Sequence, residues 1–208
     1  MGDDLWIIGG RVGDHPGAVT NKVWIYNITH NNWRAGPDLP APFAGGGAGF
    51  VNGNIHLFGG LDTRGRCDVD HHFVYDTQGG GEWLDISDTA PMPMARNHFS
   101  TAVYKNKIYA LGGQNNHDPC SKGPTSLVSV AHVFDPVSST WSRLRDLPFG
   151  RSHSEPATFV YNDRIFIVGG KTDGEKVISY HPGTDEWTVE ADLELPHTIM
   201  GPCSAYYK

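Results

Sequence analysis

Apolar residues in this chain gather in short runs that each stop at a pair of glycines. Four stretches share the pattern: Leu5–Gly10 (LWIIGG), Asn54–Gly60 (NIHLFGG), Lys107–Gly113 (KIYALGG) and Arg164–Gly170 (RIFIVGG). Runs this short, bounded by glycine, predict buried strands rather than helices. The glycines mark a sharp turn or a packing too close for a Cβ. After each run comes an aromatic residue with a turn-forming neighbour, at Tyr26-Asn27, Tyr75-Asp76, Phe134-Asp135-Pro136 and Tyr180-His181-Pro182. A tryptophan follows, at Trp33, Trp83, Trp141 and Trp187, after gaps of 7, 8, 7 and 7 residues. Each unit closes near a proline: Pro40, Pro91, Pro148 and Pro196. The glycine pairs recur at intervals of 50, 53 and 57 residues.

A period near 50 with this content resembles the kelch repeat, in which each repeat is one four-stranded propeller blade. The resemblance covers essentially the whole chain, so residues 1–208 are expected to form one all-β kelch-type propeller domain. With strands lettered a to d from the axis outward, strand b of blade one is Leu5–Gly10, strand c is about Val23–Tyr26, and strand d starts at Trp33. Blade two has strand a at Ala44–Val51 and strand b at Asn54–Gly60. Strand a of blade three is about Phe99–Tyr104. The resemblance also implies that the four tryptophans pack between blades as core, and that Gly45-Gly46-Gly47 marks a close inter-blade contact.

The ends suggest how the ring closes. The chain begins on a strand b and ends on Cys203–Tyr207, which reads as a strand a. From proline to glycine pair the internal gaps are 19, 21 and 21 residues; the 12 residues after Pro196 and the 9 up to Gly9 together make 21. Four complete blades are therefore expected, with the last strand completing the first blade and removing a sheet edge. The alternative is a fragment of a larger propeller, for example six-bladed.

Charge and length narrow the function classes. Net charge is −7 with a pI near 5.8, which argues against a general nucleic-acid binder or a partner of acidic membranes. No apolar run is long enough to span a bilayer, so no membrane insertion is expected. The N-terminus lacks the basic and apolar regions of a signal peptide. Three cysteines are too few for a disulfide framework. Asn27-Ile28-Thr29 is a glycosylation sequon, expected in an exposed c–d hairpin.

In propellers the b–c and d–a loops emerge on one face. On that face the resemblance gathers Arg64, Arg66, Asp70, His71, Arg96, His98, His117, Arg151 and His153 as candidate ligand-binding residues. His98 and His153 hold matching places, two residues after Arg96 and Arg151. Cys67 and Cys120 fall in adjacent loops of the same face, where a disulfide suits an extracellular protein; Cys203 reads as a small buried residue. The expected function is a non-catalytic scaffold that binds a protein, peptide or glycan, with the Arg and His residues favouring an acidic ligand. The rival is a metal-dependent oxidase or lyase, or a sugar isomerase, at the same mouth. No catalytic residue, metal site or cofactor is assigned: no HExxH, CxxC or nucleophile elbow is present, and Gly170-Lys171-Thr172 lies in a strand context rather than a phosphate loop. Segments such as Arg96-Asn97-His98-Phe99 look like kelch segments of secreted proteins with carbohydrate-binding modules, which tilts the expectation towards an extracellular setting. A monomer is expected.

Overall fold

In a computed structural model the structure describes residues 2–13, 17–63, 66–116 and 124–202. They form successive antiparallel sheets, one per repeat. Blade one shows strands b, c and d at Asp4–Ile8, Val23–Asn27 and Asn32–Ala35. Blade two has four strands, Gly47–Val51, Asn54–Phe58, His72–Asp76 and Leu84–Asp85. Blade three is Ser100–Tyr104, Lys107–Leu111, Ala131–Asp135 and Thr140–Arg143. Blade four is Thr158–Tyr161, Arg164–Val168, Val177–His181 and Glu186–Val189. The expected completion of blade one by Cys203–Tyr207 lies outside the described residues. Among the described residues no helix is long and apolar enough to cross a membrane.

The core is a series of joints between blades. Side chains alternate across a strand, so strand b of blade three sends Ile108 and Ala110 towards blade two and Tyr109 and Leu111 towards blade four. Both faces are buried. That is why the strand reads as a continuous apolar run rather than an alternating one. The kelch aromatic and tryptophan sit on the face turned to the preceding blade: Tyr75 and Trp83 pack under Trp6, Ile8 and Ile25 of blade one.

The glycine pairs couple each blade to the next. The second glycine donates its N–H to a carbonyl in the following d–a loop: Gly10 to Phe43, Gly60 to Arg96, Gly113 to Arg151 and Gly170 to Ile199, at 2.7–2.9 Å. The first glycine presses on the same atom. A Cβ on Gly9, Gly59, Gly112 or Gly169 would lie 2.3, 2.9, 2.6 or 2.7 Å from that oxygen. All four also have φ between +64° and +70°, where L side chains are strained.

Blade one departs from expectation. Leu5, Ile7, Trp24 and Trp33 share the face turned away from blade two and are 50%, 46%, 49% and 57% exposed. Trp33 is therefore not core, because no preceding blade covers its face among the described residues. Trp83, Trp141 and Trp187 do pack in the joints, and Trp83 and Trp187 also donate their indole N–H to Pro37 and Arg145 carbonyls.

The joint between blades two and three buries three histidines, His56, His72 and His132. His72 Nδ1–H donates to the Ala90 carbonyl at 2.8 Å, so its Nε2 accepts from His56 Nδ1–H at 3.0 Å. His56 Nε2 and His132 Nδ1 have no hydrogen-bond partner among the described residues. Burial pushes all three rings down to about 4; the second ring of the pair adds to the effect on His56, and Arg96 and Arg143 to that on His132.

Two outcomes follow from these joints. The unfolded chain takes up protons at these three histidines near pH 6.5, and the folded chain takes them up there only near pH 4. Stability is thus fully present above pH 6.5 and falls as pH drops towards 4, by up to about 3 kcal/mol per histidine. Urea midpoints measured from pH 7 to 4.5 should show this slope, and His132→Leu should reduce it by one proton. Separately, Gly112→Ala should cost about 2–5 kcal/mol in urea unfolding. Gly13→Ala, at φ +75° with nothing within 4 Å of the new Cβ, should cost only about 1–2 kcal/mol.

Candidate functional site

The d–a loops meet at the mouth of the propeller. His98 and His153 adopt φ +48° and +56°, and Gly45 and Gly201 hold the matching places at +65°. Hydrogen bonds step from loop to loop through these residues. His98 N–H donates to Gly45 O at 2.9 Å, His153 N–H to His98 O at 3.2 Å, and Gly201 N–H to His153 O at 2.7 Å. This backbone girdle offsets the left-handed strain at the two histidines.

Above the girdle the two imidazoles stack, with ring centroids 4.2 Å apart. His98 Nδ1 lies 2.9 Å from Glu155 Oε1, and His153 Nδ1 lies 2.8 Å from Ser152 Oγ. Glu155 opens a 3₁₀ turn, Glu155–Ala157, that leads into strand a of blade four and fixes the carboxylate against His98. The His98 and Glu155 side chains are each about a third exposed, so the cluster meets solvent while resting on rigid backbone. The b–c loops stand beside it and carry two short hairpins, Arg11–Val12 with Ala18–Val19 and Gln114–Asn115 with Ser126–Leu127.

The two arginines expected to bind ligand do not reach the mouth. Arg96 is fully buried and donates to the carbonyls of Gly112, Met94 and Ala110 at 2.8–3.2 Å. Arg151 is buried and donates to Lys176, Asp173 and Ile167 carbonyls at 2.8–3.4 Å. Burial lowers Arg96 to about 9 and Arg151 to about 10, so both stay cationic at neutral pH. Their guanidinium groups tie the d–a loop to the neighbouring strands and are buried out of reach of an acidic ligand.

The remaining candidates divide. Arg66 and Asp70 are exposed on the blade-two b–c loop, and His71 is half-buried with its ring stacked on Phe73 at 5.2 Å. Asp68 receives a hydrogen bond from the buried Asn97 amide, whose oxygen accepts from Gln114 Nε2 at 3.0 Å. That network braces the loops. Arg64 and His117 lie outside the described residues. Cys67 is disulfide-bonded; the expected pairing with Cys120 and the expected burial of Cys203 lie outside the described residues. Among the described residues no three His, Cys, Asp or Glu side chains are placed to hold a metal ion. Asn27 is not a free sequon side chain: its amide donates to Asp4 Oδ1 at 2.8 Å and its oxygen accepts from the His30 N–H at 2.7 Å. Glu155 falls on the same loop face by sequence but is not one of the nine ligand-binding candidates. Its one sequence signal is position, two residues after His153.

Comparison with known proteins matches the family model "KLHDC2/KLHL20/DRC7 Kelch-repeats domain" over residues 1–204. Kelch-like protein terF of Aspergillus terreus is 36% identical over 131 residues, covering 58% of this chain and 27% of terF. Beta-scruin of Limulus polyphemus is 34% identical over 117 residues, covering 54% of this chain and 12% of scruin. Across the curated relatives matched, the chain spans between 12% and 45% of their length. The solved structure of YjhT superposes with a TM-score of 0.69 at 18% identity, over 91% of this chain and 62% of that one.

Removing a frame arginine should show in stability. Arg96→Met strands three carbonyl acceptors in the core and should cost on the order of 3–5 kcal/mol in urea unfolding. His98→Asn, which keeps a residue tolerant of positive φ, should cost about 1 kcal/mol or less.

Proposed function

This chain belongs to the kelch-repeat family, and from that premise we propose that it is a non-catalytic recognition scaffold. Its b–c and d–a loops bind a protein, peptide or glycan at the mouth of the propeller. One observation carries the reading: the stacked His98–His153 pair with Glu155, part-exposed on a girdle of backbone hydrogen bonds. A rigid frame that presents a few polar groups suits recognition.

The frame arginines change the ligand expected. With Arg96 and Arg151 spent on carbonyls, the described polar groups near the mouth are imidazoles, the Glu155 carboxylate, and Arg66 and Asp70 of the b–c loop. Donors and acceptors of both signs suit the amides of a peptide or the hydroxyls of a glycan better than a purely acidic ligand.

Screening the protein on glycan and peptide arrays, then repeating the screen with the His98→Asn/His153→Asn double variant, tests this. The variant should keep the fold by circular dichroism and lose at least about tenfold in affinity for the selected ligand. Unchanged affinity in the double variant would overturn the assignment of the mouth.

A further inference from the structure

A sizeable cleft lies on the opposite face, among the a–b and c–d hairpins of blades three and four. It holds about 460 Å³, within the range of small-molecule sites. Tyr109 and Tyr180 form its floor with ring centroids 6.1 Å apart, backed by Val133 and Leu144. Lys105 and Lys107 stand at its rim with Asp163. Two lysines thus line the cleft, with Asp163 beside Lys105 and Asp135 against Lys107.

Two donors in it are uncommitted or weakly held. The Tyr109 side chain is buried, at 6% exposure, and its hydroxyl makes no hydrogen bond among the described residues. The other two phenols are occupied: Tyr104 donates to Asp163 at 2.5 Å and Tyr180 to Asp185 at 2.7 Å. Lys105 Nζ is 3.7 Å from Asp163, with both side chains 71% exposed, whereas Lys107 is held by Asp135 at 2.8 Å. Burial raises the Tyr109 phenol, so at neutral pH it remains a donor.

The matching cleft between blades one and two shows what fills the place elsewhere. It holds about 250 Å³, and there strand b starts at Asp4, paired with Arg34 at 2.6 Å, under the Trp6 ring. Blade three has Lys107 at the strand start and Tyr109 in place of Trp6, which leaves a wider cleft in which the Tyr109 hydroxyl has no acceptor among the described residues.

We propose that the cleft between blades three and four is a second binding site, for the carboxylate of an aromatic acid. The carboxylate takes the Tyr109 hydroxyl and the Lys105 ammonium, and the ring lies against Tyr109 and Tyr180. A free aromatic acid and the C-terminus of a peptide ending in an aromatic residue supply the same chemistry.

Amide chemical-shift titration of the whole 208-residue chain with 4-hydroxyphenylacetate, acetyl-Ala-Phe and acetyl-Ala-Phe-amide tests it. Both acids should give saturable shifts at Lys105, Tyr109 and Gly183, with dissociation constants on the order of 1 mM or tighter, and the amide should give none. Tyr109→Phe and Lys105→Gln should each weaken binding about fivefold or more, while His98→Asn/His153→Asn leaves it unchanged, which separates this site from the mouth. A dipeptide acid at least about tenfold tighter than the free acid assigns the site to peptide termini, and equal affinity assigns it to small acids. No saturable shift, or a Tyr109→Phe variant that binds as tightly as the parent, would overturn the proposal.

Discussion

Each joint between blades turns on one carbonyl oxygen. The oxygen of Phe43, Arg96, Arg151 or Ile199 is cradled by the glycine pair of the blade before it, bonded to the second N–H and pressed on the first Cα. The fit fixes the distance between strand b of one blade and the d–a loop of the next. Much else depends on that distance. The apolar faces can close only when the loop sits there, and the buried arginines that follow the same loop then reach the strand-end carbonyls. The kelch tryptophan falls under the preceding blade as a consequence. Two glycines per repeat thus set the spacing on which the packing of some thirty buried apolar side chains rests.

The fold was legible in the residues because the repeat states it four times. Strand b could be placed within a residue or two from its glycines, and strand c from its aromatic residue. The placing of Trp33 failed for a physical reason: a repeat shows which face of a blade wants cover, not whether cover is present, and Trp33 carries the same pattern as Trp83 with no blade beside it among the described residues. The site was less legible. Arg96 and Arg151 resemble ligand-binding side chains in every sequence respect, since an arginine in a loop near a histidine is equally suited to an acidic ligand and to bare carbonyls. Only the backbone around them decides, and it supplies six acceptor contacts. His98 and His153 were legible by their matching places. Their left-handed backbone was foreshadowed only by Gly45 and Gly201 at the equivalent positions.

The three buried histidines carry a different lesson. They sit on strand faces where other blades place aliphatic or aromatic residues: His56 stands where blade one has Trp6 and blade three has Tyr109. The polar ring is accepted there because His72 and His56 satisfy one another and the Ala90 carbonyl. A histidine count alone pointed to the mouth, while part of it belonged to a joint.

Cover is unequal along the row of blades. Blades two and three are packed on both faces, whereas blade one is packed on one and leaves Leu5, Ile7, Trp24 and Trp33 half in water. In an array whose stability is a sum of modules and nearest-neighbour contacts, a module with one neighbour, as blades one and four have among the described residues, opens more often than a middle one. Backbone amides of Val23–Asn27 therefore trade their hydrogens for deuterium by local opening of a single sheet. Those of Lys107–Leu111, held from both sides, exchange only when the whole array comes apart. The array is stiffest in its middle blades.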